Sequence, residues 1–230
     1  MRGLFVTGTG TEVGKTALSA ALIAAMAAAG EQVRAYKPVV TGLDEQTKPE
    51  AWPPDHELLA RVAGMAPEAV APLRYGPPVS PHLAARLAGQ AIDPDGLLAR
   101  ARAAAGESGD LLVIEGVGGL LVPLTDAGFT VRDLAAALGL PVVIAASPGL
   151  GTINHTLLTI AVARASGLDV RAVVLTPWPE APGDLERCNR DTIARLGEVE
   201  VAHLHRIAEP DRKSLAQAGE ALPWQRWLPA

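Results

Sequence analysis

Three things are scarce in this chain: it has one cysteine, eight aromatic residues and four lysines in 230 positions. The single Cys188 excludes an internal disulfide and any cysteine-based zinc cluster. With no CxxC and no adjacent cationic motif, its thiol reads as structural. Eight aromatics are too few for a base-stacking platform. Four lysines stand against sixteen arginines, the formal charge is −5 and no basic block occurs, so no nucleic-acid surface is expected. The longest apolar runs, such as Ala17–Ala29, fall short of the roughly 20 residues that a membrane span needs, so no membrane partner is expected either. The first residues run straight into an apolar strand, without the charged segment of a signal peptide, and a cytoplasmic location is expected. Apolar residues are abundant: 49% of the chain, with 42 alanines, enough to bury one substantial core.

Short apolar runs alternate with longer helical patterns. Gly3–Thr7 predicts a buried strand and Lys15–Ala29 a helix, in which Leu18, Leu22 and Met26 recur at steps of four before Gly30 ends it. Further strands are predicted at Gln32–Tyr36, Asp110–Glu115, Pro141–Ser147 and Val170–Thr176, with a last short one at Glu200–His203. Helices are predicted at Asp55–Ala63, Pro81–Ala88, Asp93–Ala105, Val131–Leu138, Thr152–Ser166 and Asp184–Leu196. Strands that are apolar throughout rather than alternating belong to a parallel sheet covered on both faces. The expected fold is therefore α/β, one domain over residues 1–230. Leu43–Pro54 and Thr176–Gly183, with three prolines each, read as loops at one edge of the sheet. The tail from Glu209 to Ala230, with Trp224 and Trp227, carries no interpretable pattern.

The strongest signal is Gly8-Thr9-Gly10-Thr11-Glu12-Val13-Gly14-Lys15-Thr16, where a strand enters a Gly-rich turn and a helix opens at Gly-Lys-Thr. Backbone N–H groups of such a turn, with the positive helix N-terminus, can wrap a phosphate. Lys15 would add charge between the β- and γ-phosphates, and the Thr16 hydroxyl would hold Mg²⁺. The spacing is a variant: the position six before the lysine is Thr9, and the glycines fall at Gly8 and Gly10. Glu115, after four apolar residues, places a carboxylate at the end of another strand, where a second metal ligand is needed. Gly116-Val117-Gly118-Gly119 then leaves backbone open to a ligand. Lys37, just after the second strand, shares this edge with Lys15, and two scarce lysines there suggest a pocket suited to a transferred phosphoryl group.

Taken together and in order, these motifs closely resemble the dethiobiotin synthetases. They are Gly8–Thr16, Tyr36-Lys37-Pro38-Val39 with Thr41-Gly42, Ser80-Pro81-His82, Glu115–Leu120 with Val122-Pro123, and Leu150-Gly151-Thr152-Ile153-Asn154-His155. The match runs over roughly residues 3–175 and weakens in the last quarter. The resemblance implies a P-loop NTPase-like three-layer sandwich. It implies an enzyme that uses ATP, Mg²⁺ and CO₂ to convert 7,8-diaminononanoate to dethiobiotin through a carbamate and a carbamic–phosphoric anhydride. It implies Mg²⁺ ligands at Thr16, Asp55 and Glu115, with Glu57 as the rival to Asp55. Lys15 and Lys37 take the catalytic roles. Thr11, Glu12, Val13, Gly14, Lys15, Thr16, Glu115, Thr176 and Pro177 fall at nucleotide positions, and Thr41, Ser80, His82, Gly118, Leu150, Gly151 and Thr152 at substrate positions. The last three would come from the second subunit of a homodimer whose active sites lie at the interface. For His82 a capping role at its helix start is the alternative to lining the substrate pocket; Asn154 and His155 would hold their turn, and His203 and His205 stay inert.

The family's adenine-reading Asn is missing beyond Val170–Leu175, where Thr176-Pro177 follow, so base discrimination is expected to be relaxed or carried by backbone groups of residues 208–211. Two rivals share such a P-loop. A cobyrinic-acid-type amide ligase normally carries a glutaminase domain with a nucleophilic Cys, and Cys188 lies outside any such motif. A ParA- or MinD-like regulatory ATPase usually has a further lysine early in the loop, absent from Gly8–Thr11. Lys48 and Lys213 read as surface charges.

Overall fold

The computed structural model describes residues 1–45, 52–106 and 109–229. Lys48 and much of the loop at 43–54 lie outside the described residues. The elements in chain order are β1 (Arg2–Gly8), α1 (Lys15–Ala28), β2 (Val33–Tyr36), β3 (Val39–Val40), α2 (Asp55–Ala63), α3 (Pro67–Val70), β4 (Leu73–Arg74), α4 (Pro81–Leu87) and α5 (Pro94–Ala104). They continue as β5 (Leu111–Glu115), α6 (Val131–Leu138), β6 (Val142–Ala146), α7 (Thr152–Ala165), β7 (Val170–Trp178), α8 (Asp184–Gly197), β8 (Glu200–His205), α9 (Arg212–Glu220) and α10 (Trp224–Trp227).

Six strands form one sheet in the order β2-β5-β1-β6-β7-β8, every neighbouring pair parallel. Alternate residues of each strand feed opposite cores, which is why the strands are apolar throughout. Leu4, Val6, Leu111, Val113 and Val174 pack with α1, α2 and α9. Phe5, Leu112, Ile114, Ile144 and Leu175 pack with α5, α6, α7 and α8 on the other face. Strand order reverses around β1: the chain goes to β2, returns to β5 beside β1, and crosses to β6 on the far side. A crevice therefore opens at the carboxyl ends of β1, β5 and β6, where open α/β sheets bind ligands.

β3 and β4, a parallel pair joining Val39 to Leu73 and Val40 to Arg74, were not expected, because two-residue strands carry no period. Nor were α3, α9 and α10. The patternless tail is part of the core: α9 packs on α1, and Trp227 is only 1% exposed. No helix among the described residues is long and apolar enough to cross a membrane.

Candidate nucleotide and phosphoryl-transfer site

The turn between β1 and α1 is built by unusual backbone. Thr9 N–H donates to the Ala145 carbonyl at 3.0 Å, tying the turn to the end of β6. Glu12 (φ 59°) and Gly14 (φ 85°) are both left-handed. For a non-glycine such as Glu12 this costs of order 1 kcal/mol or more, and such strain clusters at ligand sites. Gly14 admits no substitute, because a Cβ there would lie 2.6 Å from Thr176 Cγ2. Gly14 also caps α1 without a side-chain hydrogen bond, so the first-turn N–H groups stay available to an anion.

The Lys15 ammonium curls back onto the Gly10 carbonyl at 2.7 Å. Beneath it, Glu115 at the end of β5 is fully buried, and its Oε1 accepts from the Thr16 hydroxyl at 2.9 Å and from the Lys37 ammonium. Lys37 also donates to Asp55 Oδ2 at 2.5 Å, at the start of α2. Lys37 is held in place by its own N–H, which donates to the Val70 carbonyl at 2.9 Å. Thr16, Glu115, Lys37 and Asp55 thus form one chain of charged hydrogen bonds from four separate segments.

Burial alone would push the proton off Lys37, but the Glu115 and Asp55 carboxylates outweigh it and raise its pKa above the ordinary lysine value. Lys15 shifts the other way: burial, with the charge of Lys37, outweighs Glu115 and Asp55 and lowers it. Burial would raise Asp55, yet Lys37, Thr16 and Lys15 together hold it below the usual carboxylate range. Glu115 Oε2 is buried with no hydrogen-bond partner among the described residues. A buried carboxylate oxygen rarely stays unpaired without a reason such as an ion.

These groups border a cavity of about 1080 Å³. Thr11, Glu12, Gly14, Lys15, Thr16, Lys37 and Asp55 line one part of it, and Thr41, Ser80, Gly118 and Val122 another. Of the two carboxylates left open by sequence, Asp55 lines the cavity, whereas Glu57 is exposed outside its lining. Val13 does not line it; the Val13 side chain sits over Gly8 and packs against the α1 core. Thr176 is buried under Gly14 and Pro177 is exposed, so neither faces the cavity. His82 borders a separate 200 Å³ cavity with Gln90, Ile92 and Thr125. Leu150, Gly151 and Thr152 lie at the start of α7, outside this cavity, and Leu150 is 92% exposed.

Asn154 and His155 are exposed on α7 and do not hold the preceding turn. That role falls to Asn189 of α8, whose amide donates to the Pro148 and Gly149 carbonyls at 2.8 and 3.1 Å. His203 and His205 stack edge to face beside Trp178 and do not line the cavity. Glu45, Trp52 and Arg206 also line the cavity and were not anticipated. A scarce tryptophan and an acid beside the Thr41-Gly42 motif were available signals for two of them; Arg206 had none. Among the described residues no cluster of three or more His, Cys, Asp or Glu could hold a metal ion.

A family described as an AAA domain matches residues 2–208. The ATP-dependent dethiobiotin synthetase of Rhodococcus erythropolis is 40% identical over 84% of this chain and 83% of its own. The protein of the same name from Caulobacter vibrioides is 43% identical over 81% and 84%. The chain belongs to the dethiobiotin synthetase family. Among solved structures, the septum site-determining protein MinD of Pyrococcus horikoshii, complexed with Mg-ADP, superposes with a TM-score of 0.55 at 18% identity, covering 96% of this chain and 93% of its own. At that identity the likeness is one of fold, and it sets this dethiobiotin synthetase family member among the P-loop ATPase folds. With the synthetases the chain shares 40–43% of its sequence over most of its length, and with MinD the fold alone.

Proposed function

We propose that the chain catalyses the ATP-dependent conversion of 7,8-diaminononanoate and CO₂ to dethiobiotin, with release of ADP and phosphate, in biotin synthesis. The observation that carries this reading is Lys37, buried between Glu115 and Asp55 beside the Lys15–Thr16 turn. One amine adds to CO₂ as a carbamate. A carbamate oxygen attacks the γ-phosphate, and the second amine displaces phosphate from the resulting anhydride, closing the ring. Two anions meet in the second step, so Lys15 and Lys37 serve as counter-charge where little water screens them. Both lysines are buried, at 7% and 4% exposure, so their charge acts with little screening. Thr41, Ser80 and Gly118, along the same cavity, are the positions for the diamine.

Mg²⁺ fits the donor set. Thr16, Asp55 and Glu115 supply one hydroxyl and two carboxylates, and Glu115 has an oxygen to spare. Mg²⁺ takes few protein ligands and leaves the rest to water and phosphate. When bound, it would neutralise charge on the β- and γ-phosphates. Thr11, Glu12, Val13 and Gly14 belong to the nucleotide's phosphate turn, while Thr176 supports that turn from below.

Residues 1–230 work as one domain, and two copies form a homodimer in the cytoplasm. Leu150, Gly151 and Thr152 of each copy serve the substrate carboxylate of the other. The apolar groove of about 470 Å³ bordered by Leu121, Leu158 and Val162 supports this pairing. The deciding experiment supplies diaminononanoate, labelled bicarbonate, Mg²⁺ and ATP, and looks for labelled dethiobiotin. No product, with ATP hydrolysis stimulated by DNA or lipid, would replace this reading with a regulatory ATPase.

A further inference from the structure

Among the described residues three cations line the cavity, and two are already engaged. Lys37 is paired with two carboxylates, and Lys15 donates to a backbone carbonyl. The third, Arg206, has neither an ion pair nor a hydrogen bond among the described residues, although its guanidinium is always charged. It emerges at the carboxyl edge of the sheet, one residue past His205, which ends β8 opposite Trp178 of β7. The segment it stands on is fixed to the rest of the site: Arg61 of α2 donates to the Pro210 carbonyl at 2.9 Å. Ile207 packs in the same apolar cluster as Ala17 on the first turn of α1.

Strand order supplies the direction. Lys37 follows β2 and Glu115 ends β5, both on one side of β1, whereas β8 lies three strands from β1 on the other side, about 14 Å at the usual strand spacing. A triphosphate whose transferred end lies at Lys37 therefore runs its nucleoside end toward β8. Thr176, the residue standing where the family's base reader would be, is buried against Gly14 and cannot meet it there.

We propose that Arg206 is a nucleotide-binding residue that pairs with the α-phosphate. A guanidinium offers a fixed fork of N–H donors that matches two phosphate oxygens and carries no preference for one base. The inference rests on the reading of the cavity as a nucleotide site.

The test measures Kd for ATP, GTP, CTP and ADP, and steady-state rates, in R206A, R206K and R206E. In R206A every nucleotide should bind about tenfold more weakly, ADP included, because ADP keeps its α-phosphate. R206E should bind worse still and R206K in between, with KM for diaminononanoate moving less than threefold. The Arg206 side chain is exposed and has no partner among the described residues, so melting curves of the variants should match that of the wild type. Unchanged affinity in R206A, a loss confined to one base, or a change only in the diamine KM would each overturn the assignment. Wild-type protein that fails to bind ATP would instead sink the nucleotide reading itself, so the two failures remain distinct.

Discussion

Lys15 and Lys37 carry the same ammonium into one cavity, yet their surroundings give them opposite proton affinities. The Glu115 and Asp55 carboxylates hold the Lys37 proton more firmly than an ordinary lysine holds its own, which favours the charged form. Replacing it, as in Lys37→Gln, should lower the single-turnover rate by at least a hundredfold, since it removes preorganised charge from the transferred phosphoryl group. A change under threefold would take Lys37 out of the chemistry. Lys15, held below its ordinary pKa by burial and by Lys37, gives up its proton more easily in the free enzyme. A bound triphosphate brings negative charge to that ammonium and must raise its pKa again. ATP binding should then be coupled to proton uptake between the free and the bound pKa, and the affinity should fall as pH rises through the lowered pKa of the free enzyme. Calorimetry across a series of pH values, in buffers of different ionisation enthalpy, reads that uptake directly, and no uptake at any pH would show that Lys15 keeps the same protonation state on binding. An otherwise arginine-rich chain places lysine at these two positions, and a compact ammonium can follow a migrating phosphoryl group better than a planar fork.

Among the elements, α9 shows most clearly what lies beyond local pattern. Its Gly219 sits so close to α1 that a Cβ would fall 2.1 Å from the Ala21 carbonyl oxygen. Gly219→Ala, which would help an isolated helix, should here prise α9 from α1 and cost about 1–3 kcal/mol, measured by urea unfolding. An unchanged midpoint would mean that the two helices part without penalty. The central strands and most helices are legible in the sequence because each is long enough to show a period or an unbroken apolar run. The phosphate turn and its two lysines are legible because scarce residues stand at strand ends. What is not legible depends on segments far apart in the chain. Arg206 reaches the cavity through the order of β7 and β8, Asn189 holds a turn forty residues away, and Trp227 fills a core that α1 and α9 create together. Thr176 shows the reverse case: its position in sequence suggested a nucleotide contact, and packing against Gly14 turned it into support for the loop.

For the molecule as a whole, the proposed substrate positions do not all line one cavity. Leu150–Thr152 lie at the start of α7, outside that cavity, and Leu150 is 92% exposed. Leu121 and Leu158 are more than half exposed and flank an apolar groove that reaches Thr9–Thr11 of the phosphate turn. Large apolar side chains clustered on one face mark an association surface. A second copy placed there, related by a twofold axis, would bring its own α7 start toward the first copy's cavity, and the pair would share two composite sites. The groove and the nucleotide turn touch, but the Lys37–Glu115–Asp55 cluster belongs to a single protomer. Breaking the pair should therefore separate the two substrates. Leu158→Glu puts a charge into the groove and should give a monomer by sedimentation at micromolar concentration. In that monomer the KM for diaminononanoate should rise at least tenfold, while the Kd for ATP stays within about threefold of the wild type. A monomer that kept the wild-type diamine KM would show that each site is complete within one chain, and the groove would then need another occupant.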